Sequence, residues 1–205
     1  MTPRSPFTAL KGERLAGIGH NQGPPLDAAV SWRKHVWKKA RKELLPKLPL
    51  EIIRRRVKRA HDLGLDYPAY ASILLGTGRD IVGFLYTCDA LGLRLARTAQ
   101  LPDPVAAKLH AVDCDRVLGA EAQDNPSALA KALTARHAIT FRATATLPDD
   151  PNAPWTQGRA AIRAALDPIK IPSDAVVMIG AHPHERAWAD AARLAKFLPA
   201  ETYFP

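Results

Sequence analysis

Short apolar runs alternate with helix-like segments from Arg79 to the end of the chain. The runs IVGFLYT, DRVLGA and AVVMIGA are rich in strand-forming residues, HAITFRATATL alternates with period two, and HERAWADAARLAKFL is predicted to be a closing helix. Parallel strands need long crossover connections, which are usually helices. The pattern therefore predicts an α/β domain over residues 79–205, with a small, mostly parallel sheet and flanking helices.

The composition is that of a soluble globular protein, with 47% hydrophobic and 24% charged residues among 205. No apolar run approaches the roughly 18 residues of a membrane-spanning helix, and the N-terminus lacks the apolar core of a secretory signal. Cys88 and Cys114 lie in separate segments without metal-binding spacing, so we expect neither a disulfide framework nor a structural zinc site. We predict a cytoplasmic protein without a membrane span.

The net charge of +9 is concentrated in the first third of the chain. Residues 1–65 contain 15 lysines and arginines against 5 aspartates and glutamates, which gives +10. The other 140 residues contain 14 against 15, which gives −1. This asymmetry favours an anionic partner for the first third: nucleic acid, an acidic membrane surface or an acidic protein face.

The N-terminal part divides into a lead-in and a helical module. Residues 1–30 contain several glycines and prolines without helical or alternating periodicity, so we predict a flexible lead-in. A basic helical module is predicted over residues 31–78, with a first helix after the N-cap residue Ser31. Its second helix, from Pro49 to Gly64, and a short third helix resemble a helix-turn-helix pair. The predicted buried seam of the second helix is Leu50, Ile53, Val57 and Ala60.

This module carries the candidates for nucleic-acid contact. Lysines and arginines spaced along helices can neutralise several phosphates and release their counterions. The third helix, YPAYASILL, is nearly uncharged, so Tyr67, Tyr70 and Ser72 are weaker candidates for reading bases. The predicted phosphate-contacting residues are Arg33, Lys34, Lys38, Lys39, Arg41, Lys42, Arg54, Arg55, Arg56, Lys58 and Arg59.

The span IKIPSDAVVMIGAHPHERAWADAARLAKF combines a lysine, a short connection, a strand that ends in glycine and a helix of small residues. It resembles the closing segment of haloacid-dehalogenase-like phosphatases, and AVDCDRVLG is similar to their opening DxDG loop. The resemblance implies a Rossmann-like topology and a phosphorylated or nucleotide ligand, with Asp113 attacking phosphorus and Asp115 acting as acid/base. Two positions depart from the pattern: Arg116 replaces a glycine, and Ala181 with His182 stands where a magnesium-binding acid is expected.

A second group of candidates lies at strand ends. His182, His184 and Glu185 follow the run AVVMIGA, and Cys88 with Asp89 follows IVGFLYT. Ligands of open α/β sheets bind where parallel strands end, so we predict that these five residues line one ligand pocket. The histidines and the glutamate also suit a transition metal, but their spacing is that of no known closed metal site and fits the solvated first turn of a helix better. The sequence assigns neither a metal nor a cofactor.

The stretch IGHNQGPPLD, residues 18–27, contains His20 beside Asn21 with no rigid element around them. It resembles the GHNxGPP leaders of uncharacterised, phage-related proteins of alphaproteobacteria. We interpret it as a flexible docking segment and not as a catalytic motif.

Three functions remain open at this point. The charge asymmetry favours a cytoplasmic nucleic-acid-binding or regulatory protein that contacts phosphates through basic helices. One alternative is an active or degenerate Rossmann-like enzyme acting on a phosphorylated or nucleotide ligand. The other is a protein-interaction subunit that docks an acidic partner. The sequence favours binding over catalysis.

Overall fold

A computed structural model of the chain describes residues 48–93 and 99–204. The described residues from Pro49 onward belong to one compact unit. The predicted lead-in and the helix expected after Ser31 lie outside the described residues. The helices expected after Pro49 belong to the same compact unit as the sheet.

The described residues form helices and strands in alternation along most of the chain. The helices are α1 (Leu50–Asp62), α2 (Tyr67–Thr77), α3 (Asp103–Ala111), α4 (Pro126–His137), α5 (Trp155–Leu166), α6 (Pro183–Ala192) and α7 (Ala200–Tyr203). The strands are β1 (Gly83–Thr87), β2 (Asp115–Glu121), β3 (Ala143–Leu147), β4 (Val176–Gly180) and β5 (Lys196–Pro199). Within these described stretches, no helix has the length and apolar character needed to cross a membrane.

The five strands form one parallel sheet in the order β3-β2-β1-β4-β5. β1 is central, and its Leu85 lies between Val117 of β2 and Met178 of β4. The chain moves outward from β1 to β3 and then crosses to the other side of β1 for β4. This reversal is that of a Rossmann-like sheet and opens a crevice where β1 and β4 end. The predicted α/β class with a parallel sheet is confirmed.

Helices cover both faces of the sheet. Along β1, Phe84 and Tyr86 belong to one hydrophobic core, and Leu85 belongs to the other. The first core includes residues of α1 to α4 and α7, whereas the second includes residues of α5 and α6. β1 and β4 are buried along their whole length, as expected for parallel strands that are covered on both faces.

The segment predicted to be one closing helix, residues 184–198, is divided into a helix and a strand. α6 ends at Ala192, and Arg193 adopts a left-handed φ of 57°. The chain then adds β5 beside β4. Phe197 and Leu198 of this strand are buried in different cores, so burial on two faces overrides the helical pattern.

The strand predicted over HAITFRATATL is shorter than its period-two pattern suggests. Its first residue, His137, is the last residue of α4, and Ala138 ends that helix with a left-handed φ of 54°. β3 is confined to Ala143–Leu147. The period-two pattern therefore begins several residues before Ala143, the first residue that pairs with β2.

The buried side of α1 differs from the predicted seam. Ala60 is buried, but Leu50 and Val57 are 59% and 46% exposed. Arg56 and Arg59 are half-buried instead. The helix is therefore turned so that part of its basic side approaches the sheet.

Candidate functional site

A pocket of about 290 Å³ lies at the carboxyl edge of the sheet, where β1, β2, β3 and β4 end. The carboxyl edge is the side on which the strands end, and the amino edge is the side on which they begin. The pocket includes the crevice between β1 and β4, which is the usual ligand position in open α/β sheets. The five residues predicted for a ligand pocket all line it: Cys88, Asp89, His182, His184 and Glu185.

A histidine and an aspartate from two neighbouring strand ends meet in this pocket. Nε2 of His182 lies 2.7 Å from Oδ2 of Asp89. An ionised carboxylate can only accept hydrogen bonds, so this contact with ionised Asp89 requires the tautomer that carries a proton on Nε2. The His182 side chain is 44% exposed and that of Asp89 is 16% exposed. An imidazole held in this way can act as a general acid or base toward a bound molecule.

Aromatic rings form one wall of the pocket. The rings of His182 and His184 are stacked, with centroids 5.3 Å apart and an interplanar angle of 11°. His184 meets Trp188 edge-on, with centroids 4.9 Å apart. Trp188 is buried against Gly158 of α5, where a Cβ would lie 2.2 Å from Trp188 Cγ. The wall therefore depends on a close contact between α5 and α6.

The main chain around Asp89 is held by hydrogen bonds. The Cys88 N–H donates to Gly119 O of β2 at 2.9 Å, which continues the sheet pairing past the end of β1. The Ala90 N–H donates to Oγ1 of the buried Thr87, at 3.3 Å. Asp89 thus lies in a connection that is fixed on both sides.

Asp113 and Asp115 do not lie at this pocket. Asp115 begins β2, whereas Glu121, at the other end of that strand, lines the pocket. The two ends of a strand of this length are about 20 Å apart, at a rise of 3.3 Å per residue. The Asp115 carboxylate forms an ion pair with Arg142, and Asp113 is exposed. The resemblance to phosphatases therefore assigned catalytic roles to residues at the opposite edge of the sheet.

Neighbours of these aspartates have structural contacts. Nη2 of Arg116 donates to the carbonyl oxygens of Leu109 and Val112, at 2.6 Å each, at the end of α3. Arg116 thus satisfies carbonyl oxygens at the end of a helix. Burial raises the pKa of the Cys114 thiol to about 12, so this cysteine stays protonated and unreactive.

The predicted phosphate-contacting residues of α1 fall into two groups. Arg54, Arg55 and Lys58 are exposed, and Arg54 forms an ion pair with Glu51 at 2.8 Å. Arg56 is half-buried. The other predicted contacts lie outside the described residues: Arg33, Lys34, Lys38, Lys39, Arg41 and Lys42.

Arg59 is held by the fold. Its guanidinium donates to the Asp80 carboxylate at 3.1 Å, to Ile81 O at 2.8 Å and to Asp113 O at 3.1 Å. The hydroxyl of Tyr70 on α2 donates to the same Asp80, at 2.9 Å, and Tyr70 is 3% exposed. Both side chains tie the two helices to the start of β1, and Tyr70 is too buried to read a base.

Sequence reasoning missed the pocket residues that follow β2 and β3. Glu121 and Asp124 lie at the end of β2, and Asp149 follows β3. Asp149 also accepts a hydrogen bond from the Ala122 N–H at 3.1 Å, which joins the two connections. The strand-end rule, applied to DRVLGA and HAITFRATATL as well, would have indicated these residues. Trp188 could have been found from its spacing of four residues after His184.

A metal site is not formed by the residues that the sequence indicated. Among residues 48–93 and 99–204, no group of three or more His, Cys, Asp or Glu side chains is arranged to hold a metal ion. The magnesium site implied by the phosphatase resemblance does not fit, because Asp113 and Asp115 lie at the amino edge and His182 at the carboxyl edge.

Comparison of the chain with protein-family models, curated proteins and solved structures found no match. The resemblances to haloacid-dehalogenase-like phosphatases and to GHNxGPP leaders therefore stay predictions. The Rossmann-like arrangement follows from the strand order alone.

Proposed function

We propose that residues 49–205 form a ligand-binding α/β domain whose carboxyl-edge pocket takes a small molecule, with His182 and Asp89 exchanging a proton with it. The 2.7 Å contact between the two side chains, inside a pocket at the reversal of strand order, carries this proposal. Sheets of this order bind phosphorylated compounds and nucleotides across this crevice, which gives the ligand class. The described lining, with five carboxylates and no lysine or arginine, favours contact with the uncharged part of such a ligand, its sugar or base. The cytoplasm is the compartment that the sequence predicts.

The pair suits proton exchange better than a purely structural role. A structural hydrogen bond between two surface loops contributes little to stability, whereas this one joins polar groups that face a cavity of ligand size. The stacked His184 ring limits the positions that the His182 ring can take. A fixed imidazole is what general acid/base chemistry requires.

A thermal-shift screen of the full chain tests this function. The probes are nucleoside phosphates, sugar phosphates and the corresponding uncharged nucleosides and sugars. A compound that raises the Tm of the wild type is then titrated against Asp89→Asn and His182→Gln. We expect each variant to weaken binding by at least about tenfold, the effect of losing one good hydrogen bond. Asp113→Asn and His110→Gln make the same chemical changes at exposed sites and should bind normally.

Two outcomes would count against the ligand-binding function. One is that no compound of these classes raises the Tm. The other is that a compound does so equally in the wild type, Asp89→Asn and His182→Gln, because its site would then be elsewhere.

A second function, binding of nucleic acid through phosphate contacts, is supported by the exposed basic side chains on α1. Arg54 and Lys58 are spaced four residues apart and so share one side of the helix, with Arg55 beside them. They belong to the segment of residues 1–65 that carries a charge of +10. Such a surface would bind nucleic acid with a steep dependence on salt concentration.

Binding to labelled single- and double-stranded DNA and RNA across a salt series tests this second function. The double variant Arg55→Ala/Lys58→Ala should weaken binding and reduce the slope of log K against log salt by about 2, one for each lost phosphate contact. Lys131→Ala/Arg159→Ala removes the same charges from exposed positions outside the basic third and should leave the slope unchanged. Absence of binding at low salt would leave an acidic protein as the partner of the basic third.

A further inference from the structure

Glu185 is a buried carboxylate beside the proposed site. It is 3% exposed and, with Thr87 and Ser173, one of three buried polar side chains among the described residues. Its Oε2 accepts a hydrogen bond from the main-chain N–H of His182 at 2.8 Å. This bond is half of a capping box between Glu185 and His182 at the start of α6. Burial of a carboxylate is costly unless its hydrogen bonds compensate.

Gly180, the last residue of β4, provides the space for this carboxylate. A Cβ at Gly180 would lie 2.4 Å from Oε2 of Glu185 and 2.5 Å from Cε2 of Phe197. The Phe197 ring belongs to the neighbouring strand β5 and is packed in the second core. Any side chain at position 180 would therefore push the carboxylate away from the His182 N–H.

The connection between β4 and α6 contains only Ala181 and His182. The carboxylate of Glu185 holds the main chain of this connection at His182, and the His182 ring reaches the carboxylate of Asp89. A change in the main chain at His182 would move the imidazole relative to Asp89, which is fixed independently at the end of β1.

We propose that Glu185 is a positioning residue, which fixes the main chain at His182 so that the imidazole meets Asp89, and that Gly180 is required for this arrangement. The proposal rests on the function proposed for the His182–Asp89 pair. The His182 side chain is also part of the cap of α6. If the Glu185 carboxylate serves only the stability of this helix, its loss leaves the contact between the imidazole and Asp89 unchanged.

Glu185→Met and Glu185→Gln separate these two roles. Methionine keeps the length of the side chain but has no strong acceptor, whereas glutamine keeps an acceptor oxygen. NMR of the full chain without ligand measures solvent exchange of the His182 Nε2 proton, with resonances assigned by comparison with His182→Gln. We expect exchange to accelerate about tenfold in Glu185→Met, as for loss of one hydrogen bond, and to stay within about twofold of wild type in Glu185→Gln.

Gly180→Ala should reproduce the effect of Glu185→Met. Gly76→Ala is its control, because a Cβ at Gly76 would meet no atom within 4 Å. Glu201→Met and Glu201→Gln, at an exposed position on α7, are the controls for the glutamate variants.

The proposal is overturned if Glu185→Met lowers stability but leaves the exchange of the His182 Nε2 proton at its wild-type rate. It is also overturned if Glu185→Gln, which is expected to fold even where Glu185→Met does not, frees the imidazole from Asp89. Because the measurement needs no ligand, these results are distinct from a failed ligand screen, which would contradict the proposed function and not the positioning.

Discussion

The two edges of the sheet carry similar polar residues in different surroundings. At the amino edge, Arg59 donates to three acceptors, and Asp115 forms an ion pair with Arg142. At the carboxyl edge, Asp89 and His182 bond each other at the wall of a pocket. The difference shows that residue type alone does not mark a functional site. What distinguishes the Asp89–His182 pair is that it faces a cavity, whereas Arg59 and Asp115 contact only other parts of the fold in the bonds described.

The largest effect that we expect is from Gly158→Ala, which tests whether the carboxyl edge is as firmly packed as the amino edge. The added Cβ would lie 2.2 Å from Trp188 Cγ, so α5 and α6 must separate. We expect the free energy of unfolding to fall by about 3 kcal/mol, the upper range for overpacking. Chemical denaturation measures it, and Gly76→Ala should be neutral or stabilise by up to about 1 kcal/mol. A neutral Gly158→Ala would mean that the pocket wall is loosely packed.

Arg59→Met tests the structural role of the amino edge. The change removes three hydrogen bonds and leaves Asp80 and two carbonyl oxygens without this donor. We expect a loss of about 2 kcal/mol in the free energy of unfolding. Arg55→Met, at an exposed position on the same helix, should change it by less than about 0.5 kcal/mol. Equal effects of the two variants would contradict the distinction between Arg59, which is hydrogen-bonded within the fold, and the exposed Arg55.

The pH dependence of stability tests the contact at Asp80 through Tyr70, which donates a hydrogen bond to the same carboxylate as Arg59. Burial, followed by the hydrogen bond to Asp80, raises the pKa of Tyr70 from 10.0 to about 12. Between these values the unfolded chain loses the phenol proton and the folded chain keeps it, so stability falls as pH rises. We expect Tyr70 to contribute a loss of about 2 kcal/mol between pH 9 and 12.

Comparison of wild type with Tyr70→Phe isolates this contribution, because other buried groups titrate in both proteins. Burial also raises the pKa of Tyr86 and Tyr203. The free energy of unfolding should fall less steeply with pH in Tyr70→Phe. Parallel curves would show that the phenol is not protected by the fold.

Asp113→Asn should have the smallest effect on stability. It tests most directly whether the amino edge of the sheet takes part in ligand binding. Within the described residues, the hydrogen bonds of Asp113 use its main chain: its N–H donates to Asp62 O, and its carbonyl accepts from Arg59. We expect stability to change by less than about 0.5 kcal/mol, and ligand-induced shifts in Tm to match wild type. If the variant instead loses ligand binding, the amino edge has a function that the fold does not account for.

Much of the candidate site could be predicted because it follows a local rule. Strand-like runs end just before Cys88 and before His182, and parallel strands bring such ends together. Applied also to the ends of β2 and β3, the same rule would have indicated Glu121 and Asp149. Asp113 and Asp115 were misplaced because they lie at the start of a strand and not at its end. Similarity over a short motif does not record the strand direction.

The amino-acid sequence by itself determined the α/β class, the approximate positions of four strands and the concentration of positive charge before residue 66. These properties depend on local periodicity and on composition. The tertiary structure alone decided the central position of β1, the addition of β5 and the side of α1 that is buried. Each of these depends on which distant segments bury one another's apolar surface and satisfy one another's hydrogen bonds, and no local pattern contains that information.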